Sequence, residues 1–360
     1  MKRVRTSELV PGMITAEDVY SYNNQMIVPN NTELTDKIIT RLEFYSVLAV
    51  RINDDALPQA PDLNQFDLPS YSQRIKASKE FKEFEQSFLR TTENFKKNLR
   101  SIVDDRAPIN TEELCSNISN LMANQTTTIS IFDMLHNMRQ YDDLTYAHCI
   151  NVSLICTVFA KWLKLPPSEV DKLTLCGLLH DIGKLAIPDN IIRKPDKLTA
   201  DEYNIIKTHT LQGYNILKGY KNINNDIKES ALMHHERCDG TGYPLGLTGD
   251  KINKYAKVVA IADVYDAMTA ARVYRGPLCP FKVIGIFETD GLNKYDSKFI
   301  MVFLEHIAST YIKNRVRLNN GMEGEVVFMN KNALSRPMVQ CRNRFIDLSK
   351  EPDVYIETFV

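Results

Sequence analysis

A long stretch of helical periodicity constrains the fold of this chain more than any other feature. Between about residues 132 and 314, apolar residues recur at helical spacing in segments broken by loops that contain Gly and Pro. Strand-like runs are scarce there, and all seven His of the chain fall within it. We therefore predict an all-helical domain over residues 126–314. Its clearest helical segments are Ile150 to Leu165, Pro167 to Leu179, Ala200 to Leu217 and Lys254 to Ala271.

The two ends of the chain have a different pattern, in which short apolar runs alternate with turn residues. Residues 1–55 are predicted to form a small, mostly β unit with one helical pattern near Leu34 to Tyr45. Residues 56–125 are predicted to be a linker followed by a helical segment, and residues 315–360 a small β module. The predicted fold class is mainly α, with a helical domain between two small flanking units.

Charge and composition narrow the classes of partner. Apolar residues make up 44% of the chain and charged residues 25%, which is typical of a globular protein with a large core. The net charge is −1 and there is no basic stripe, so long nucleic acid is not an expected partner. A small anionic ligand stays compatible with this balance, because it needs only local positive charge.

Hydropathy and cysteine usage bear on location. No stretch reaches the roughly 18 apolar residues of a membrane span, and Met1 to Val10 lacks the apolar core of a signal peptide. The seven Cys include no C-x-x-C pair, which argues against a disulfide framework and against a zinc ribbon. We expect a cytoplasmic protein without a membrane partner.

Five His and two Asp lie where polar side chains are difficult to explain by packing alone. His180 and Asp181 follow the apolar segment Gly177 to Leu179, and Asp263 lies within the apolar run Val258 to Val264. A carboxylate is costly to bury unless it meets a cation, so these Asp indicate a metal site. A single His would be weak evidence for a site, but the combination of these residues is strong evidence. The seven residues are His148, His180, Asp181, His209, His234, His235 and Asp263.

The local motifs around these residues resemble the HD-GYP family, a branch of the HD phosphohydrolases that hydrolyses cyclic di-GMP. The resemblance covers about Phe132 to Leu304, roughly half of the chain. It implies an HD-type helical domain. The matching segments are Tyr146-Ala147-His148, His180-Asp181-Ile182-Gly183-Lys184, His209, His234-His235-Glu236, Asp239-Gly240-Thr241-Gly242-Tyr243-Pro244, Ala262-Asp263-Val264-Tyr265-Asp266-Ala267 and Arg272-Val273-Tyr274-Arg275.

The resemblance implies a binuclear metal site. His148, His180, Asp181 and Asp263 match the ligands of one ion. His209, His234 and His235 match those of the second, with Asp181 bridging.

Two carboxylates against two divalent ions leave positive charge for a phosphodiester. The resemblance favours Fe or Mn, with Zn as an alternative. The implied reaction is in-line attack of a metal-bound hydroxide on phosphorus, which gives linear pGpG and leaves further conversion to GMP open.

Further roles follow from the same motifs. Lys184 is expected to contact a phosphate beside the metals and to share in catalysis with Asp181, and Arg272 and Arg275 to hold a distal phosphate or a guanine. Each of these three cations has the alternative interpretation of a surface charge. Tyr243 is expected to pack against the ligand.

Other motif residues are assigned structural tasks. Gly242 and Pro244 are expected to shape the pocket wall, and Asp239 and Asp266 to support the ligands or to pair with Arg. Glu236 is left undecided. His136 and His306 fall outside the motifs, and we assign them no role in the site.

The chain departs from part of the family at one position. Some members have a Glu one helical turn before the first ligand His, where it helps to hold a third ion, and here that position is Leu144. We therefore predict two ions.

Alternative functions are hydrolysis of another cyclic dinucleotide such as cyclic GMP-AMP, or a catalytically silent cyclic di-GMP receptor. A homodimer formed through the N-terminal or helical segments is left open.

Overall fold

The computed structural model describes most of the chain. It covers residues 2–6, 9–20, 26–35, 38–39, 41–42, 47, 49–53, 71–123, 128–138, 144–192, 194, 199–269 and 278–360. Among these residues, no helix combines the length and the apolar character that crossing a membrane requires.

The N-terminal unit is built from two short antiparallel strand pairs. Strand β1 (Lys2–Arg5) pairs with β4 (Ala49–Ile52), and β2 (Val19–Tyr20) pairs with β3 (Met26–Val28). Half of the predicted helix near residues 34–45 lies outside the described residues, although residues 38–39 and 41–42 are helical. Apolar side chains of this unit form a core cluster of their own.

The middle of the chain is helical, as the periodicity predicts. Two short helical turns of other types interrupt the α-helices, a 3-10 turn at Ile182–Ala186 and a π-type turn at Phe287–Gly291. The α-helices are α1 (Tyr71–Ala77), α2 (Lys79–Asp104), α3 (Thr111–Ala123), α4 (Thr128–Asn137), α5 (Leu144–Trp162), α6 (Pro167–Leu179), α7 (Asp189–Ile192), α8 (Ala200–Lys207), α9 (His209–Lys218), α10 (Asn225–Met233), α11 (Lys254–Thr269), α12 (Pro280–Ile286) and α13 (Ser297–Thr310).

Helix α2 shows how local sequence starts and places a helix. The Ser78 side chain caps it by accepting the backbone N–H of Phe81. Apolar residues then recur every three or four positions, so that one face is buried and the charged face meets solvent. The buried residues are Phe81, Phe84, Phe88, Thr92, Phe95, Leu99 and Ile102.

Helices α5 and α11 form the centre of the domain. Helix α5 packs against α6, and α11 packs against α5, α6 and α10. Apolar residues surround both helices on nearly every side, so His148 on α5 and Asp263 on α11 are polar exceptions in an apolar interior. This packing sets the two side chains opposite the ends of α6, α9 and α10.

The C-terminal residues form one antiparallel sheet with strand order β8-β7-β6-β5-β9. Its apolar side chains belong to the same core cluster as the helices. The mainly helical fold class with small β units at both ends is confirmed, whereas the domain boundaries remain predictions. The strands are β5 (Arg315–Leu318), β6 (Glu323–Phe328), β7 (Met338–Cys341), β8 (Arg344–Asp347) and β9 (Ile356–Phe359).

Candidate metal centre

Helix ends deliver most of the predicted ligands to one place. His180 and Asp181 directly follow α6, His209 begins α9, and His234 and His235 directly follow α10. The remaining two, on α5 and α11, lie inside their helices. Residues that are far apart in sequence therefore meet in the centre of the domain.

The Gly after His180-Asp181 has a packing role. A Cβ on Gly183 would lie 1.9 Å from the carbonyl oxygen of His209 and 2.4 Å from the backbone nitrogen of Gly213. Only a residue without a side chain lets the 3-10 turn approach α9 this closely. Gly183 thereby brings Asp181 within reach of the His209 ring.

Asp181 lies at the middle of the cluster and is 2% exposed. Its Oδ1 is 3.3 Å from Nε2 of His209 and 3.6 Å from Nε2 of His234. Its Oδ2 is 3.3 Å from Nε2 of His180 and 3.8 Å from Nε2 of His148. The two carboxylate oxygens therefore face two different sets of imidazoles.

The cluster divides into two groups that could each hold an ion. Within each group, one nitrogen or oxygen atom per residue lies within 4.8 Å of the others. Asp181, His209, His234 and His235 form one group, and His148, His180 and Asp263 form the other. Asp181 also reaches the second group through Oδ2, so the grouping matches the ligand sets that the motifs imply, with Asp181 between them.

Four of the five imidazoles are oriented by a contact at Nδ1. Such contacts fix the ring and direct Nε2 to the other side, which is the usual support of a metal-binding His. The distances from Nδ1 to the contacting oxygen are 2.8 Å for His148 and Asp266 Oδ2, 2.8 Å for His180 and the Gly177 carbonyl, 2.7 Å for His209 and the Ile206 carbonyl, and 3.0 Å for His234 and the Ala231 carbonyl.

Three buried atoms at this place have no hydrogen-bond partner. They are Nε2 of His180, Oδ1 of Asp181 and Nδ1 of His235. A buried polar atom left without a partner costs about 1–3 kcal/mol, so three of them together are unfavourable in the absence of a ligand. Cations between the two groups would satisfy all three, and the donor set of imidazoles and carboxylates fits divalent ions.

The local pKa values keep the imidazoles of one group neutral. Burial lowers the pKa of His209 to about 3, and burial also lowers the pKa of His234 and His235. A neutral imidazole has a free electron pair for a metal. Burial alone would lower the pKa of His148 too, but hydrogen bonds with Asp263 and Asp266 outweigh it and raise that pKa to about 10.

Both carboxylates of the cluster stay ionised. Burial would raise the pKa of Asp181, but the Lys184 ammonium and the His180 ring beside it hold that pKa well below its usual range. For Asp263, a hydrogen bond with His148 likewise outweighs burial and lowers the pKa. The cluster therefore has negative charge in its interior.

Lys184 is the cation closest to these carboxylates. Its Nζ contacts Oδ2 of Asp181, and its side chain is 28% exposed. Burial would lower the pKa of Lys184, but Asp181 raises it, so the ammonium stays charged. The chain thus places a fixed positive charge beside the two groups and open to solvent on one side.

The loop after His235 covers one side of the cluster. The Tyr243 ring stacks on the His235 ring, with 4.6 Å between centroids and 26° between planes, and lies 6.5 Å from the His209 ring. Gly242 passes close to the backbone of Glu236, and Pro244 is exposed at the outer side of the loop.

Not every predicted site residue joins the cluster. Asp239 is exposed and accepts hydrogen bonds from the backbone and hydroxyl of Thr241, away from both groups. Arg272 and Arg275 lie outside the described residues. His306 stacks on Trp162, and neither it nor His136 belongs to the two groups.

One residue whose role the sequence analysis leaves undecided belongs to the site. Glu236 is 2% exposed, and its carboxylate accepts the backbone N–H groups of Leu245 and Leu247. An acid that directly follows two ligand His was the available signal, but its partners lie nine and eleven residues further along the chain and carry no motif.

Comparison with known proteins identifies related chains. The family model of the HD domain matches residues 101–299. The cyclic di-GMP phosphodiesterase PA4108 of Pseudomonas aeruginosa is 34% identical over 207 residues, which are 57% of this chain and 50% of that protein. The cyclic di-GMP phosphodiesterase response regulator RpfG of Xanthomonas campestris is 44% identical over 135 residues, which are 37% of this chain and 36% of that protein.

Two further matches are a relative named for another cyclic dinucleotide and a solved structure. The 3'3'-cGAMP-specific phosphodiesterase 2 of Vibrio cholerae is 35% identical over 190 residues, which are 52% of this chain and 36% of that protein. A solved structure, Bd1817, a HDG"Y"P protein from Bdellovibrio bacteriovorus, has a TM-score of 0.47 and 18% identity over 85% of this chain and 99% of that chain.

The chain spans half or less of the length of these three curated relatives. The family model, in contrast, matches more than half of the chain and includes all seven residues of the cluster. The chain belongs to the HD domain family, in the HD-GYP branch that its motifs indicate.

Proposed function

We propose that this chain is a metal-dependent phosphodiesterase that hydrolyses cyclic di-GMP to linear pGpG, with conversion to GMP left open. The observation that carries the proposal is the position of Asp181, whose two buried oxygens face two groups of imidazoles. The names of two relatives, from Pseudomonas aeruginosa and Xanthomonas campestris, support the substrate.

The two groups are proposed to hold two divalent ions, with Fe or Mn favoured and Zn as the alternative. Imidazole-rich sites with bridging carboxylate suit these metals better than Mg or Ca. Bound there, the ions would supply Lewis acidity toward the phosphodiester and lower the pKa of a coordinated water. The ligand roles proposed for His148, His180, Asp181 and Asp263 on one side and His209, His234 and His235 on the other follow the observed grouping.

The side chains of the protein hold and orient this site. Asp181 connects the two groups, and Asp266 fixes the ring of His148 through Nδ1. Lys184 supplies a permanent positive charge next to Asp181, which suits contact with a phosphate oxygen. Its carboxylate contact holds the ammonium in place before a substrate arrives.

Substrate contacts are proposed on the open side. Tyr243 stacks on His235 and would present its other face and its edge to a base. Arg272 and Arg275, which lie outside the described residues, are proposed to hold a distal phosphate or a guanine. Gly242 and Pro244 would shape the loop around Tyr243, and Asp239 would stabilise its turn.

A second candidate function has one specific observation in its favour. The relative from Vibrio cholerae with 35% identity is named a 3'3'-cGAMP-specific phosphodiesterase, which supports another cyclic dinucleotide as the alternative substrate. A silent receptor of cyclic di-GMP is a third candidate, and it is disfavoured because all seven ligand positions are present.

The proposal also includes the location of the protein in the cell and its oligomeric state. Seven free Cys, of which five are buried, suit a reducing cytoplasm. A homodimer through the N-terminal or helical segments stays a proposal, and it can be read from light scattering of the purified chain.

The test is a substrate panel with purified protein loaded anaerobically with Fe²⁺ or Mn²⁺. Cyclic di-GMP, 3'3'-cGAMP and cyclic di-AMP are offered at equal concentration, and the products are separated by chromatography. We expect the fastest turnover for cyclic di-GMP, with pGpG as the first product. Turnover only of 3'3'-cGAMP would establish the second candidate.

Asp181→Ala is the essential control variant. It removes the residue that faces both groups, so we expect metal content and turnover to fall together. If this variant retained wild-type turnover, the proposed mechanism would be wrong. If loaded wild-type protein bound cyclic di-GMP without cutting it, the receptor candidate would be correct.

A further inference from the structure

The loop that follows His235 is folded back onto the segment from which it leaves. Its ends are joined by a bridge between Asp239 and Thr248 and by a hydrogen bond from the backbone N–H of Gly249 to the Cys238 carbonyl. In its middle, the backbone N–H of Tyr243 donates to the His235 carbonyl at 3.2 Å. The loop therefore lies directly on the segment that contains His235.

The buried carboxylate of Glu236 is a strong connection between the two layers. Its Oε1 accepts the N–H of Leu245 at 2.7 Å, and its Oε2 accepts the N–H of Leu247 at 2.9 Å. Hydrogen bonds to an ionised acceptor are stronger than neutral ones. Each oxygen thus fixes a different point of the loop, which leaves the loop little freedom to rotate or lift.

The close approach at Gly242 shows how tightly this loop is packed. A Cβ there would lie 2.4 Å from Cα of Glu236 and 2.4 Å from the backbone nitrogen of Arg237. No side chain fits between the layers, so the position of the next residue, Tyr243, is set by the same contacts.

His235 differs from the other imidazoles in how it is oriented. The other four have a hydrogen-bonding oxygen at Nδ1, whereas Nδ1 of His235 has no hydrogen-bond partner and lies 4.0 Å from Oδ2 of Asp263. The His235 ring contacts the neighbouring rings of His209 and His234 and the stacked ring of Tyr243. The Tyr243 ring is the contact that the loop supplies, so the orientation of the His235 ring depends in part on the loop.

We propose that Glu236 is a positioning residue for the metal group that contains His209, His234 and His235. By accepting two backbone N–H groups, it holds the loop and thus the Tyr243 ring against His235. This inference deepens the proposed function, since it rests on the same group binding a divalent ion. It assigns a task to a residue that does not touch metal or substrate.

The test measures Mn²⁺ binding to the whole 360-residue chain, stripped of metal with a chelator, by isothermal titration calorimetry. Glu236→Gln retains the shape but turns an NH₂ donor toward a backbone N–H. We expect one of two Mn²⁺ sites to weaken by about 10- to 100-fold and the other to stay unchanged, which is the usual effect of removing a supporting residue.

A matched control is Glu288→Gln, because the contacts of Glu288 include no residue of the two metal groups. Glu288 also accepts two backbone N–H groups of a loop, from Leu334 at 2.5 Å and Ser335 at 3.3 Å, and in addition the hydroxyl of Ser335. The chemical change is the same, and both Mn²⁺ affinities should stay at the wild-type value. Equal weakening in both variants would mean a general loss of stability, and unchanged binding in Glu236→Gln would mean no positioning role; either result overturns the proposal.

Tyr243→Ala tests the route from Glu236 to the metal group, and it replaces Glu236→Gln if that variant does not fold. It leaves Glu236 in place but removes the stacked ring, so the same Mn²⁺ site should weaken. The double variant should bind Mn²⁺ with the same affinity as whichever single variant binds it less tightly. Additive losses of affinity would overturn the route through Tyr243.

The outcome is separable from the proposed reaction, because Mn²⁺ affinity is measured directly. Wild-type protein that binds two Mn²⁺ but cuts no dinucleotide with either Fe²⁺ or Mn²⁺ would end the phosphodiesterase proposal and leave this one standing. Wild-type protein that binds no Mn²⁺ would end this proposal, and turnover of the Fe²⁺-loaded protein would still decide the phosphodiesterase proposal.

Discussion

At the scale of single residues, the site depends on a buried charge that would be unfavourable in the apolar interior without a partner. Asp181 is 2% exposed, and its two oxygens face four imidazole rings. An isolated carboxylate is strongly destabilising in an apolar interior, and Lys184 contacts only one of the two oxygens. The remaining oxygen, Oδ1, is the one without a hydrogen-bond partner, which is where a cation is most needed.

The division of the cluster predicts that its two halves can be emptied separately. His148→Ala removes a ring from one group and His209→Ala from the other, so we expect each variant to retain about one ion per chain. Asp181→Ala should retain neither, because Asp181 faces both groups. Metal analysis by mass spectrometry measures this, and loss of both ions from either His variant would contradict independent halves.

A second residue-scale prediction concerns Lys184. Lys184→Ala should lower kcat by about 10²-fold or more, as expected for loss of a group that stabilises charge in the transition state, while the bound metal stays near wild type. Lys218→Ala is the control, because that Lys lies at the end of α9 and contacts the Tyr214 ring instead. If Lys184→Ala lost bound metal as well as kcat, Lys184 would stabilise the metal site and would have no role in the reaction itself.

Residue by residue, the motifs were enough to indicate which His and Asp lie together and that Asp266 supports one of them, but not the contacts made by Glu236 and Gly183. Asp181 and Asp263 stand out as carboxylates beside or within apolar segments, and the His stand out through the motifs around them, which one sequence shows directly. Glu236 acts on Leu245 and Leu247, and Gly183 accommodates the His209 carbonyl. These are contacts between segments that meet only after folding, and no local pattern predicts them.

At the scale of elements, periodicity located the helices better than their ends. Pro167–Leu179 has the predicted bounds, whereas the predicted helix from Ala200 to Leu217 is split at Thr208 into α8 and α9. The predicted helix from Ile150 begins earlier, at Leu144, so that His148 lies inside it. Buried helices have apolar residues on every side, and the boundary then depends on tertiary contacts more than on pattern.

The helix before His209 allows a prediction about local stability. Helix α8 has no buried residue, and a capping box of Thr199 and Glu202 starts it. Thr199→Ala should destabilise α8 by about 1 kcal/mol without a matching loss of global stability, since little packing connects it to the core. Hydrogen exchange measured by mass spectrometry should become faster over residues 200–207 while the melting temperature stays close to wild type.

The matched change, Ser78→Ala, removes the cap of a helix that has a buried face. Ser78 caps α2 through the same kind of contact, but α2 buries seven side chains along its length. Ser78→Ala should therefore lower the melting temperature of the whole helical domain. If Thr199→Ala lowered it as much, α8 would have to be coupled to the core more tightly than its exposure indicates.

At the scale of the whole molecule, the described side chains form two apolar cores of unequal size. One belongs to the N-terminal unit alone, and the other extends from α2 through the helical domain into the C-terminal sheet. The sequence pattern separates strands from helices at residue 315, but it does not show that the two share a core. Glu288, which accepts the backbone N–H groups of Leu334 and Ser335, is one of the contacts that connect them.

This arrangement predicts which part of the protein depends on metal. Ions that bind only the folded state at about 100 times their Kd stabilise it by about 2.7 kcal/mol, or roughly 5–10 °C in melting temperature. The metal groups lie wholly within the larger core, so a chelator should lower the main transition and speed hydrogen exchange in α5 and α11. Exchange in β1 and β4 should be unaffected, because their core is separate. In Asp181→Ala the chelator should have no effect; equal melting of wild-type protein with and without chelator would contradict stabilisation by bound ions.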